Sequence, residues 1–397
     1  MKYIPRILEN KVRDGLDNYP VTAIVGARQA GKSTLAKYLI HGDEKSLYLD
    51  LERPSDLQKL DDAEWFLESQ RDNLICIDEI QRKPDLFPLI RSLVDNTARN
   101  GQFLILGSAS RDLLKQGSES LAGRISFKQL TPFLWKEIKD LMTIEQYIER
   151  GGFPKSILAK NQRVSFDWRS DFISTFLERD LMQWAGFAPQ TMRRLWQMLA
   201  HLNGQTVNYS KLGGSLGVSH TTIRNYIELL QETFMVILVN PYNLNTGKRL
   251  VKSPKVYLSD TGIIGALLNL HDFNQLAGHP VFGSLWETLV LSNLKGHFPG
   301  LDYSFYRTSH GAEIDLVVSD GNQTLAVECK ATLSPSLSRG TFSAIEDVMP
   351  GKTFIACPVD KGYLLKNNIR VVSLIELIDE MHKVFEQGSG RSVNSDH

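Results

Sequence analysis

From Val21 to about residue 140, short apolar runs alternate with amphipathic stretches whose apolar positions recur at helical spacing. Five runs predict strands: Val21–Val25, Ser46–Leu51, Leu74–Ile77, Gln102–Leu106 and Ile125–Leu130. Strands separated by helical stretches imply an α/β fold with a parallel sheet covered on both faces. Residues 141–205 read as helical throughout. Their stripe of Phe172, Phe176, Leu177, Leu181, Leu195, Met198 and Leu199 predicts core rather than a binding face. Residues 206–256 read as a short helix, a turn, a second helix and a strand. From Val281 a helix leads into strands rich in β-branched and aromatic residues, then another helix and strand. The last ten residues, GSGRSVNSDH, are small and polar and predict a disordered tail.

A chain of 397 residues exceeds one ordinary domain. The pattern divides it into an α/β core at 1–140, a helical lid or connector at 141–205, a helix-turn-helix module at 206–280, an α/β domain at 281–387 and the tail at 388–397. With 42% hydrophobic and 23% charged residues it can bury several cores, which excludes wholesale disorder. Lys plus Arg and Asp plus Glu both number 45. That balance excludes a basic coat protein and a polyacidic tail protein, but it permits a basic face on one module. Cys76, Cys329 and Cys357 sit apart in apolar stretches, in no metal-binding spacing, and read as small buried hydrophobes. The N-terminus lacks an apolar run of signal-peptide length, and runs such as Phe234–Val239 are too short to span a bilayer. The expectation is a cytoplasmic protein with no membrane partner.

Gly26-Ala27-Arg28-Gln29-Ala30-Gly31-Lys32-Ser33, followed by Thr34, matches G-x-x-x-x-G-K-[ST] between a strand and a helix. In such a loop the backbone N–H groups point at a β-phosphate and the helix N-terminus adds its dipole. Lys32 is expected at the β- and γ-phosphates, and the Ser33 hydroxyl on Mg²⁺. Leu74-Ile75-Cys76-Ile77 then runs into Asp78 and Glu79, 45 residues after Ser33. Asp78 suits the Mg²⁺ shell and Glu79 the base that polarises water. The Asp-Glu pair, with no N-K-x-D guanine reader in the chain, favours ATP over GTP. Ser108 ends the next strand on the same sheet edge, within reach of the γ-phosphate or the attacking water. Arg124, after Leu121-Ala122-Gly123, is a candidate for a γ-phosphate sensor or a trans-acting finger, with a plain loop arginine as the alternative.

The series GARQAGKST, IDEIQ, GSAS and LAGR, with Gly151-Gly152-Phe153-Pro154 later, resembles an AAA-type ATPase group of bacteria and archaea over residues 1 to about 190. The resemblance implies ATP and Mg²⁺, a five-stranded sheet with the phosphate loop after the central strand, and a C-terminal half of unknown function.

Tyr209–Leu230 reads as two helices joined at Gly217, with Ser219 capping the second. Val218, Ile223, Tyr226, Ile227 and Leu230 would pack inward, leaving His220, Thr221, Arg224 and Asn225 outward. Short polar and basic side chains at the start of a second helix suit a major groove. The following FMVILVN strand makes this a winged variant. Between 191 and 256, eight Lys and Arg face two acids, Glu228 and Glu232. The cluster Lys248-Arg249-x-x-Lys252-x-x-Lys255 lies where a wing would touch phosphates. Double-stranded DNA is the expected partner, and a winged helix that touches only protein is the alternative.

In Ala312–Val318, Asp315 sits inside an apolar run, and Glu328 and Lys330 share one face of the next strand across the Gly321-Asn322 turn. Two carboxylates and a lysine converge as a site for a hard cation. This resembles the PD-(D/E)XK nuclease core, as D-x12-E-x-K over about 281–360, without the leading Pro. The resemblance implies Asp315, Glu328 and the helix acid Glu287 as metal ligands and Lys330 as a catalytic residue. A fold that no longer cuts is the alternative. The sequence thus supports an ATPase acting on DNA, open to homo-oligomerisation. The competing reading is an ATP-controlled switch whose C-terminal modules bind partners without cleavage.

Overall fold

The computed structural model describes residues 3–385 except 98, 109–119, 181–187 and 243–249. The expected tail, Leu181, Lys248 and Arg249 therefore lie outside the described residues. The chain divides into two compact units, residues 1–133 with 229–235 and residues 134–228 with 236–397.

In the first unit the expected strands form as β1 Val21–Gly26, β2 Ser46–Asp50, β3 Leu74–Asp78, β4 Phe103–Ser108 and β5 Ile125–Gln129. All pair in parallel, in the order β2-β3-β4-β1-β5. Every residue of β1 is buried, as befits a strand covered on both faces. Alternate side chains feed two cores. Val21, Ala23, Ile75, Ile77, Phe103 and Ile105 lie on one side of the sheet, and Ile24, Cys76, Leu104 and Leu106 on the other. The sheet order corrects one expectation. The phosphate-loop strand β1 is next to the edge, and β4 is central. Local hydrophobic pattern carries no information on strand order, which long-range pairing decides.

The second unit holds a nine-stranded sheet. Its strands are β6 Gln205–Thr206, β7 Val236–Pro241, β8 Lys255–Leu258, β9 Asp302–Arg307, β10 Glu313–Ser319, β11 Thr324–Cys329, β12 Lys352–Ala356, β13 Tyr363–Leu364 and β14 Arg370–Val372. The order is β13-β14-β12-β11-β10-β9-β7-β8-β6. Segments 206–280 and 281–387, read from sequence as separate modules, share this sheet through the pairing of Asn240 with Ser304 and Pro241 with Phe305. Segment 141–205 is not helical throughout. It breaks at Gly151 and Asn161 between the helices Ile144–Arg150, Pro154–Ile157 and Gln162–Thr175, and it ends in β6. Phe172, Phe176, Leu177, Leu195 and Leu199 are buried as core.

The Gly-Gly-Phe-Pro element has a local explanation. Gly151 adopts φ 72° and Gly152 donates its N–H to Asp260 Oδ2 at 2.6 Å. Asp260 also caps the helix Thr261–Leu267 by accepting from Ile263. A Cβ on Gly151 would stand 2.1 Å from Asp260 Oδ1. Gly151→Ala therefore combines left-handed strain with an overlap against a buried carboxylate. It is expected to cost about 2 kcal/mol or more, read as a lower urea midpoint at unchanged slope.

Candidate functional site

The phosphate loop is built by its glycines. Gly26 has φ 155°, and a Cβ there would stand 2.1 Å from the Leu130 carbonyl oxygen. Gly31, with φ 103°, caps the helix Lys32–Leu39. Lys32 is buried, and its Nζ donates to the Gly26 and Ala27 carbonyls at 3.0 Å each. Burial pulls its pKa down to about 8, against the pull of Glu79 and Asp78. Ala27 and Ala30 are buried, Arg28 and Ser33 are partly covered, and Gln29 and Thr34 are exposed. From below, buried Arg6 donates to the carbonyls of Ala30 at 3.2 Å and Thr131 at 2.7 Å. This brace joins the loop to the segment after β5, and sequence reasoning missed it.

Parallel pairing brings Gly26, Asp78 and Ser108 to one sheet edge, with Gly26 directly beside Ser108. The Ser108 side chain lies outside the description. Asp78 is buried, and its Oδ1 accepts the Glu79 N–H at 3.0 Å. Its Oδ2 accepts the hydroxyl of Tyr48, which also bonds Ser33. One phenol thus spans the two residues expected to hold Mg²⁺. Tyr48 was missed because its significance depends on β2 lying beside β3, where Tyr48 pairs with Cys76. Burial, then the Asp78 bond, raises the Tyr48 pKa. Glu79 sits at φ 58°, a left-handed conformation uncommon for a side chain of its kind. Its carboxylate accepts from Gln81 Nε2. Ser33 and Asp78 fit a Mg²⁺ ion as an oxygen pair at a phosphate cradle. The bound ion would offset charge on the β- and γ-phosphates.

Arg124 lies elsewhere. It precedes β5, and its carbonyl accepts from Val21 at the start of β1. The strand between that edge and the phosphate loop is roughly 17 Å long at about 3.3 Å per residue. Its guanidinium pairs with Asp95, Nη2 to Oδ2 at 3.0 Å. The reading as a sensor for the chain's own γ-phosphate is therefore corrected, because parallel strands put the start of β5 on the far edge.

The helices Tyr209–Leu216 and His220–Glu232 meet at Gly217, φ 68°. Ser219 Oγ accepts the Thr222 N–H at 3.0 Å. His220, Thr221, Arg224 and Asn225 are exposed, while Ile223, Tyr226, Ile227 and Leu230 are buried. The Arg224 guanidinium lies 5.3 Å over the Tyr209 ring. Lys252 is exposed. Lys255, grouped with it in the sequence, is 2% exposed and faces inward. This corrects its reading as a phosphate contact. A lysine inside the apolar strand KVYL was the signal.

Lys255 points at the carboxylate cluster. Its Nζ lies 2.9 Å from Glu313 Oε1 and 3.6 Å from Asp315 Oδ1. Asp315 and Glu328 are buried on adjacent antiparallel strands. Asp315 Oδ2 accepts the Cys329 N–H at 2.9 Å. Lys330 holds Glu328 Oε1 at 2.7 Å, while Glu328 Oε2 is buried with no hydrogen-bond partner. Glu287, on the helix Phe282–His297, receives the Tyr257 hydroxyl at 2.8 Å. Burial and the neighbouring Asp315 push the Glu287 and Glu328 carboxyls up, against Lys255 and Lys330 respectively. Among the described residues no three His, Cys, Asp or Glu side chains converge as a metal shell. The expected third ligand, Glu287, is thus not drawn into one shell with Asp315 and Glu328 here, and it accepts the Tyr257 hydroxyl. Asp315 and Glu328, with one orphaned oxygen, still fit a two-carboxylate ion whose other positions take water or phosphate.

Comparison with known proteins matches the chain in three segments. Residues 18–139 match the family described as AAA domain. Residues 142–274 and 282–377 match two domains of unknown function, DUF8612 and DUF4143. An uncharacterized protein of Mycobacterium tuberculosis is 38% identical over 369 residues, 93% of this chain and 83% of that protein. One from Methanocaldococcus jannaschii is 22% identical, covering 78% of this chain and 74% of its own length. Among solved structures, the Walker-type ATPase of Pyrococcus abyssi covers 67% of this chain and 96% of its own, at 14% identity and a TM-score of 0.46.

Two outcomes test the first site. Lys32→Ala is expected to abolish ATP binding, whereas Glu79→Gln keeps binding and loses turnover. Equilibrium binding and phosphate release separate them, and wild-type turnover in Glu79→Gln would remove Glu79 as the base. The depressed Lys32 pKa also sets a pH dependence. In the free protein the ammonium is lost as pH rises through about 8, and a bound polyphosphate draws the proton back. Affinity for ATP should be flat below that point and fall above it by up to about tenfold per pH unit. Calorimetry in buffers of different ionisation heat would register proton uptake on binding.

Proposed function

We propose, for a chain that belongs to the family of its mycobacterial relatives and that itself matches the AAA domain and DUF4143, that ATP hydrolysis drives or gates work on double-stranded DNA in the cytoplasm. The protein is an AAA-type ATPase with a P-loop. No described helix is long and apolar enough to cross a membrane. The observation that carries the DNA reading is the exposed start of the helix His220–Glu232. His220, Thr221, Arg224 and Asn225 project there from a capped helix whose other face is buried. Together with strands β6, β7 and β8, the helix pair has the make-up of a winged helix. Lys248, Arg249 and Lys252 would supply backbone contacts. Ser108 would face the nucleotide, and Arg124, on the far edge, would serve a neighbouring copy in a homo-oligomer.

The DUF4143 segment is read as a nuclease-like domain in which Asp315 and Glu328 hold Mg²⁺ and Lys330 steadies the phosphate. Glu287 acts from one step back, through Tyr257. One observation favours the switch alternative. Lys255 and Lys330 already compensate the cluster, so it stays assembled without an ion and without chemistry.

Supercoiled plasmid with Mg²⁺ or Mn²⁺ and ATP separates the two readings: nicks lost in Asp315→Ala support the nuclease, and an inert wild type on linear, nicked and branched DNA supports the switch. For binding, the triple replacement of Lys248, Arg249 and Lys252 by Ala should weaken duplex affinity. It should lower the slope of log affinity against log salt by roughly one for each phosphate no longer neutralised. An unchanged slope would turn the module into a protein-contact surface. Arg224→Ala should instead change base preference.

A further inference from the structure

Lys255 is a cation built into the carboxylate cluster from a different part of the chain. Its strand β8 pairs with β7 and β6, next in the chain to the exposed reading helix. Its Nζ lies over the Phe305 ring, 5.4 Å from the centroid. Nζ stands 2.9 Å from Glu313 Oε1 and 3.6 Å from Asp315 Oδ1, paired with both acids. Asp315 is therefore approached by a fixed positive charge through Oδ1, while Oδ2 is taken by a backbone N–H. Glu328 Oε2, in the same cluster, has no donor. A divalent ion bridging Asp315 and that oxygen would stand against the Lys255 ammonium in a medium that screens poorly.

We propose that Lys255 and a divalent cation compete for Asp315, so that Lys255 holds the place of the metal until it is displaced. This rests on the reading of Asp315 and Glu328 as an ion site. Metal entry would then loosen the tie between β8 and β10, and with it the anchorage of the strands that follow the reading helix. Lys255 acts through charge on Asp315 and touches no substrate, which makes it a positioning residue.

The test is Mn²⁺ binding to the full chain without nucleotide, followed by electron paramagnetic resonance, in wild type, Lys255→Met, Lys255→Arg and the double variant Lys255→Met with Glu328→Gln. Lys255→Met should gain one Mn²⁺ site at least about tenfold tighter than any in the wild type. Lys255→Arg, which keeps the charge, should behave as wild type, and Glu328→Gln should abolish the gain. Equal affinity in Lys255→Met and wild type overturns the proposal, as does a gain that survives Glu328→Gln. Should Lys255→Met be unfolded without metal, recovery of its circular dichroism with Mn²⁺ supports the competition, and failure to recover overturns it. A Lys255→Met chain that takes up Mn²⁺ but leaves plasmid intact upholds the competition and removes only the cleavage reading.

Discussion

The parallel registration of β1, β3 and β4 is the constraint on which the ATP site depends. It brings Gly26, Asp78 and Ser108 to one edge and exiles Arg124 to the other. A slip of one residue would turn every side chain of a strand to the opposite face. It would exchange residues between the two cores that alternate along β1, β3 and β4. Packing therefore specifies the position of the acids relative to the loop. The Leu130 carbonyl, tight against Gly26, and Arg6, bonded to Ala30, add a second support to the loop.

The second unit solves a different problem, that of burying charge. Acids on β10 and β11, with Glu287 behind them, are unstable together unless cations or protons balance them. Lys330 answers from the same strand and Lys255 from β8, two strands beyond β9 in the sheet. The register shift between Ile314 and Val317 opposite β9 falls on the acid itself. Bulges of this sort re-aim a side chain, and here the chain concerned is Asp315. Charge balance and sheet continuity are thus one feature: the lysine that neutralises the acids is carried by strands that join the helix-turn-helix segment to the C-terminal strands.

In the first unit the strand positions were legible to within about two residues, because each of those five strands carries its own apolar run and its own terminator. The phosphate loop was legible because its chemistry is local: glycines, a lysine and a hydroxyl within nine residues of a strand end. The outward face of the helix His220–Glu232 was readable for the same reason, since one helix turn decides it. What escaped were relations between distant segments. Tyr48 matters only because β2 lies beside β3, and Lys255 only because β8 joins the sheet of β10. Arg124 was placed near the nucleotide because strand direction was known and the end of the strand it precedes was overlooked. The central position for β1, which the family resemblance implied, failed as well, since strand order is decided by pairings between distant segments.

Glu79 bears on how this protein can change over time. Its left-handed backbone stores roughly 1–3 kcal/mol of strain, at the residue proposed to handle the attacking water. Glycine would relieve the strain and delete the carboxylate in a single step. Along this lineage, then, the shortest route to a sturdier fold at position 79 removes the carboxylate proposed as the base. A heat-hardened variant obtained by selecting for solubility alone should be checked there first.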